Sequence, residues 1–142
     1  MGEYYRDVEL DDFAVVLSKD LQRMFDGITD GSRKCVRKAC VAGRKAARDK
    51  ASANFKDSGL KKRRGKSYAE SLTYHTSQQG TYNFVGEIGS KMYPGLVHLL
   101  EKGHARVGGG IVAGRPHMIT GKREADRKLV EEILDTVDRE LK

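Results

Sequence analysis

Four histidines, His75, His98, His104 and His117, are the side chains of this sequence best suited to hold a metal or move a proton near neutral pH. The run His98-Leu-Leu-Glu-Lys-Gly-His104 has the outline of a helical zinc-protease motif. That chemistry needs two histidines one turn apart with a glutamate beside the first. Here the histidines are six apart, Glu101 follows the first by three, and Gly103 ends the helix between them. Histidines that orient a loop or pack at an interface are the plainer reading. A metal-dependent hydrolase using His98, Glu101 and His104 is the least supported of three functional readings.

Nucleophilic chemistry has no better support. Cys35 and Cys40 lack a nearby histidine and sit on a small-residue helical face expected to be buried. No Gly-x-Ser-x-Gly elbow is present. Gly108-Gly-Gly110 lacks the Lys-Ser/Thr that completes a phosphate loop. Glu131 and Glu132 lie on a charged helix face and point apart. The sequence therefore predicts no catalytic residue, no metal and no cofactor.

Charge is the strongest physical signal. Residues 31–66 hold fourteen Lys and Arg against Asp49 and Asp57, a net +12, while the rest of the chain is −5. The molecule is a mildly acidic body with one basic element, a partition that suggests a contact surface for something negative. Lys34, Arg37, Lys38, Arg44, Lys45 and Arg48 share one helical side, continued by Lys61, Lys62, Arg63 and Arg64. These are the candidate contacts to DNA phosphates or to an acidic partner. No aromatic residues interleave with them, so any DNA contact should be to the backbone and independent of base sequence. The bland alternative is a solvated helix face.

The elements that must position these residues follow from periodicity. At 142 residues and 15.8 kDa the chain is one domain by length. Two cysteines five apart make no disulfide framework, and reduced thiols are expected. No apolar run approaches the ~20 residues of a membrane span. The first residues, Met-Gly-Glu-Tyr-Tyr-Arg-Asp, lack the apolar core of a secretory signal. A soluble basic domain made inside the cell is the expectation.

A first helix is predicted over about 11–24, capped by Asp11 or Asp12, with Leu10, Phe13, Leu17, Leu21, Met24, Phe25 and Ile28 on one arc. Gly27 and Thr29-Asp-Gly-Ser32 are expected to end it and start a second helix over 32–55. That second helix has a stripe of small residues, Val36, Ala39, Cys40, Gly43, Ala47 and Ala51, for close packing. A basic loop, expected to be mobile, runs to Lys66. A hairpin is then predicted over 67–89, with Tyr68, Leu72 and Tyr74 alternating on its first strand and a turn at 76–80. A short helix at 96–100, a Gly-rich loop region over 103–122 with a strand at Ile111-Val112, and a closing helix over 123–141 complete the chain. Leu129, Val130, Ile133, Leu134, Val137 and Leu141 form the apolar arc of that last helix and are expected in the core. The fold class is α+β: a small antiparallel sheet packed by a long basic helix and a C-terminal amphipathic helix.

The stretch from Tyr93-Pro-Gly-Leu-Val-His-Leu-Leu-Glu-Lys-Gly to His104, then Gly109-Gly-Ile-Val-Ala-Gly-Arg-Pro-His117 and an amphipathic helix, resembles one phage family. These are the small tail-completion or head–tail joining (neck) proteins of long-tailed bacteriophages and prophages. The resemblance covers 93–141 closely and 1–92 only in the order of elements. Such proteins often carry a second Pro and Ala after the Arg-Pro-aromatic element, which Met118-Ile-Thr-Gly-Lys122 lacks. The resemblance implies a non-enzymatic virion protein at the head–tail junction, made in the host bacterial cytoplasm. It implies a homo-oligomeric ring bordering the DNA channel, partnered by other neck and tail proteins and touching no membrane. Tyr93, His98, Glu101, His104, Arg115, Pro116 and His117 are then the candidate assembly interface. A sequence-independent nucleic-acid-binding protein acting through 33–66 is the alternative.

Overall fold

The computed structural model describes residues 10–142, and side chains from residue 15 onward. The reading of the first residues, and the expected caps and apolar positions at 10–13, lie outside the described residues and side chains. Eight elements follow one another: α1 (Leu10–Phe55), α2 (Tyr68–Ser71), β1 (Thr73–Gln79), β2 (Asn83–Gly89), α3 (Val97–Lys102), β3 (Gly103–Ala105), β4 (Ile111–Ala113) and α4 (Met118–Glu140). The fold is α+β, dominated by the pairing of α1 with α4. None of these helices is long and apolar enough to cross a membrane.

The expected break between two N-terminal helices is absent: α1 runs unbroken for 46 residues. The residues read as caps bond backward instead. Thr29 Oγ1 donates to the Phe25 carbonyl at 2.7 Å and Ser32 Oγ to that of Ile28 at 2.8 Å, each four residues earlier. Gly27 and Gly31 are not stop signals but places where α4 comes close. A Cβ at Gly27 would strike the Glu140 carboxylate, and one at Gly31 the Thr136 side chain.

The same logic governs the rest of the α1–α4 seam. A Cβ on Gly43 would lie 2.7 Å from both the Gly121 carbonyl oxygen and Ala125 Cβ; one on Gly121 would lie 2.7 Å from the Gly43 carbonyl oxygen. Cys35 and Thr136 meet at 3.3 Å, and Lys38 reaches Glu132 at 2.6 Å. The helices therefore pack through small and polar side chains, as the stripe on α1 predicts. The expectation for α4 fails on this point. Val130, Leu134 and Leu141 are about 60% exposed, while Gly121 and Thr136 are buried. Close backbone approach selected the small-residue face; Leu129 and Val137 of the apolar arc are half-buried, and Val130, Ile133, Leu134 and Leu141 were left outside.

The core lies toward the C-terminal end of α1. Ala47, Ala51, Tyr68, Leu72 and Tyr93 are buried together, with Phe55, Leu60, Leu96, Val97, Leu100 and Met118 packed around them. The β1–β2 hairpin is antiparallel from Thr73 opposite Gly89 to Gln79 opposite Asn83, so residues 76–79 are strand rather than turn. The segment before it is not strand: 68–71 form α2, closed by a capping box. Glu70 N–H donates to Ser67 Oγ at 3.3 Å, and the Ser67 N–H donates to the Glu70 carboxylate at 2.7 Å. The Gly-rich region contains a second, smaller hairpin, β3–β4, and α4 begins at Met118, five residues before the predicted start.

Candidate functional site

Two clusters gather the residues singled out by the sequence. The first surrounds His117, which is completely buried. Its Nδ1 lies 2.9 Å from the Arg115 carbonyl oxygen and its Nε2 lies 2.8 Å from the Tyr68 hydroxyl. Nδ1 also lies 3.1 Å from Glu101 Oε2; both oxygens only accept, so Nδ1 carries a proton, and Nε2 and the Tyr68 hydroxyl share a second hydrogen bond. Phe55, Tyr68 and His117 meet edge to face with centroids 5.2–5.6 Å apart, and Tyr68 meets Tyr93 in the same manner.

Glu101, at the end of α3, closes this cluster. Its carboxylate accepts from the backbone N–H groups of His117, Met118 and Ile119 at 2.7, 2.8 and 3.0 Å. These are donors at the start of α4 that its own turns cannot satisfy, so a side chain from another element caps the helix. Burial raises the Glu101 pKa, but the three donors and the His117 imidazole outweigh it, and the carboxyl ends below its ordinary value. Burial, with the Glu101 charge adding to it, pushes the Tyr68 phenol well above its ordinary value. Both oxygens of Glu101 are engaged by α4, and His98 is exposed on α3. Among the described residues no group of three or more His, Cys, Asp or Glu comes together as a metal-binding set.

The candidate assembly residues thus divide. Tyr93 and His117 are core residues with 2% and 0% exposure and present no surface to a partner. Glu101 and His104 are half-buried; His98, Arg115 and Pro116 are exposed. Arg115 Nη1 also donates to the Asn54 carbonyl at 2.6 Å, tying the Arg-Pro-His element to α1. The sequence marked these residues as a group but not as an internal clasp, because their meeting depends on contacts 16 to 61 positions apart.

The second cluster is the basic surface, and it too divides. Arg48 donates from Nε to the Leu72 carbonyl at 2.8 Å and from Nη2 to that of Glu70 at 3.0 Å. Arg44 lies over the Tyr74 ring at 5.0 Å. Arg63 lies over Tyr93 at 4.9 Å and donates to the Met92 carbonyl at 2.8 Å. Lys38 pairs with Glu132, and Lys45 with Asp49 at 3.5 Å. Arg48, Arg44, Arg63 and Lys38 tie separate elements together, the first three through backbone or ring acceptors that no sequence pattern displays, whereas the Lys45–Asp49 pair is exposed within α1. Lys34, Arg37, Lys61, Lys62 and Arg64 are exposed and make no ion pair or side-chain hydrogen bond with the described residues. The loop carrying the last three is anchored rather than free. Arg63 and Lys66 exchange two backbone bonds of 3.0 Å, and the Tyr93 hydroxyl donates to the Lys61 carbonyl at 2.9 Å.

Comparison of the chain with protein-family models, curated proteins and solved structures finds no match.

Proposed function

We propose that the chain is a structural head–tail joining (neck or tail-completion) protein of a long-tailed phage or prophage, acting as a homo-oligomeric ring in the virion. The observation that carries this reading is the amount of exposed apolar side chain along α1 and α4 of a highly charged molecule. Leu17, Leu21 and Phe25 on α1 are 45–56% exposed, and Val130, Leu134 and Leu141 on α4 about 60%. Glu140, the last residue of α4, meets α1 at Gly27, and seventeen residues of α1, about 25 Å, precede that contact. Exposed apolar surface of this extent fits a protein whose working state is an assembly. The resemblance over 93–141 supplies the identity of that assembly, with other neck and tail proteins as neighbours. Glu101, Arg115 and His117, which carry the resemblance, are spent on holding the fold, in keeping with a non-enzymatic role. Electron micrographs of the concentrated protein should show annular particles of one diameter. Monomers alone at every concentration would overturn the reading.

A second reading, sequence-independent nucleic-acid binding, is favoured by one observation. Lys34, Arg37, Lys61, Lys62 and Arg64 have no carboxylate partner among the described residues and are free to meet phosphates. In a ring, the same cations would border the channel and act together on one DNA. Submicromolar binding of duplex by the monomer at physiological salt would favour this second reading.

A further inference from the structure

Four cations crowd the short loop between α1 and α2. Lys61, Lys62, Arg64 and Lys66 are exposed and make no ion pair or side-chain hydrogen bond with the described residues. On the basic side of α1, Lys38, Arg44, Lys45 and Arg48 have partners, which leaves Lys34 and Arg37. Those two lie 21 and 18 residues before the end of α1, roughly 30 Å along the helix.

The loop is held in one shape. Arg63 and Lys66 exchange two backbone hydrogen bonds of 3.0 Å across Arg64 and Gly65. Both central residues have positive φ, 49° and 75°, as a tight type I′ turn requires. Among the described residues Arg64 is the one residue other than glycine in that region, a conformation costly for a side chain with a Cβ. Such strain persists where the surroundings over-determine it. Tyr93, buried beneath the loop, does so here. Its hydroxyl donates between the Lys61 and Lys66 carbonyls, at 2.9 and 3.3 Å, and Arg63 lies over its ring at 4.9 Å.

The composition of this surface selects its partner. Protein interfaces gather aromatic and apolar side chains at their centre and are poor in lysine. Between residues 42 and 81 no large apolar side chain is exposed. Residues 56–70 instead hold six cations against Asp57 and Glu70, and the Glu70 carboxylate is already bonded to the Ser67 N–H. Cations without an apolar centre suit the repeated phosphates of a nucleic-acid backbone.

We propose that the 61–66 turn is a preformed contact for the phosphodiester backbone of duplex nucleic acid. Lys61, Lys62, Arg64 and Lys66 meet the phosphates, and Tyr93 is the residue that positions them. This deepens the nucleic-acid reading of the basic surface and rests on it. A turn ordered before binding loses no loop freedom on contact.

The test is fluorescence anisotropy of a labelled duplex with the full chain, over ~50 to 200 mM salt. Lys62→Gln with Arg64→Gly removes two charges and places at position 64 a residue at ease with positive φ. It should flatten the logarithmic salt slope by about 1.8. Lys34→Gln with Arg37→Gln, the same change of charge on α1, should leave the slope near its wild-type value. Tyr93→Phe and Gly65→Val keep every cation but disturb the turn. Nothing lies within 4 Å of a Cβ at Gly65, so that variant strains only the backbone, and it serves alone if Tyr93→Phe loses its fold. Each should bind the duplex roughly three- to tenfold more weakly with the slope unchanged. Flattening by the α1 pair that equals or exceeds that of the turn pair would overturn the site and leave the nucleic-acid reading standing. Wild-type affinity in Gly65→Val would overturn the preformed turn. A polyglutamate peptide that binds the turn more tightly than the duplex would replace the proposal with an acidic protein partner. No duplex binding by the wild type at ~50 mM salt would remove the site and the reading together.

Discussion

The Glu101 carboxylate reaches the backbone nitrogen of His117 at 2.7 Å and, through it, holds the first turn of the 23-residue α4. One side chain on a six-residue helix therefore sets where the C-terminal helix begins. The same contact orders Arg115 and His117, which attach that turn to α1 and to the aromatic cluster.

Removing this cap should be costly. Glu101→Ala leaves three N–H groups without their charged acceptor, and hydrogen bonds to charged groups contribute ~1.5–3 kcal/mol. A loss of about 2–3 kcal/mol in urea unfolding is expected. A loss below about 0.5 kcal/mol would mean that water replaces the carboxylate without penalty.

The same residue predicts a pH dependence. The Glu101 pKa is lower in the folded chain than in the unfolded one, so its contribution is fully present above the unfolded carboxylate value of about 4.3. The contribution is lost as pH falls below that value toward the folded pKa. Urea midpoints measured from pH 7 down to pH 3 should fall for the wild type and fall less for Glu101→Gln.

Tyr68→Phe should cost ~1–3 kcal/mol while preserving the aromatic packing. The ring stays in place against Phe55, Tyr93 and His117, but the buried His117 Nε2 loses its hydrogen-bond partner. Thermal midpoints of Tyr68→Phe against a surface control such as Tyr82→Phe measure the difference.

On the α1–α4 seam the expected order of effects inverts the usual hydrophobic ranking. Gly43→Val should destabilise by at least ~1–3 kcal/mol through overpacking against Gly121. Leu134→Ala, at 64% exposure, should change stability by less than about 0.5 kcal/mol. Chemical denaturation of both variants tests the assignment of the packed face.

The basic residues should separate into two groups. Arg48→Ala removes donors from two backbone carbonyls and should lower stability by ~1–3 kcal/mol. Replacing Lys34, Arg37, Lys61, Lys62 and Arg64 by Gln should leave stability within about 0.5 kcal/mol. If those five meet DNA, each contact removed should flatten the salt dependence of duplex binding by about 0.9 in logarithmic slope. Charge reversal at Arg44 or Arg48 would confuse the two effects.

Local patterns carried much of this molecule. The small-residue stripe of α1, the amphipathic character of α4, a hairpin within 67–89 and the basic partition of 31–66 all follow from residue type and spacing, although the strands begin only at Thr73 and residues 76–79 are strand rather than turn. The Ser67-to-Glu70 capping box was equally legible, although alternation of Tyr68, Leu72 and Tyr74 pointed to a strand. The tertiary structure decided what spacing cannot express. Glycine reads locally as a stop, yet Gly27 and Gly31 stay helical because α4 must pass within reach of their missing side chains. An apolar arc reads as core, yet the seam closed on Gly121 and Thr136 because small residues allow the nearer backbone approach. A cation reads as a surface charge, yet Arg48 and Arg63 are bound to carbonyls 22 to 29 residues away. In each case the deciding partner lies far along the chain, and only folding brings it within the few ångströms over which packing and hydrogen bonds act.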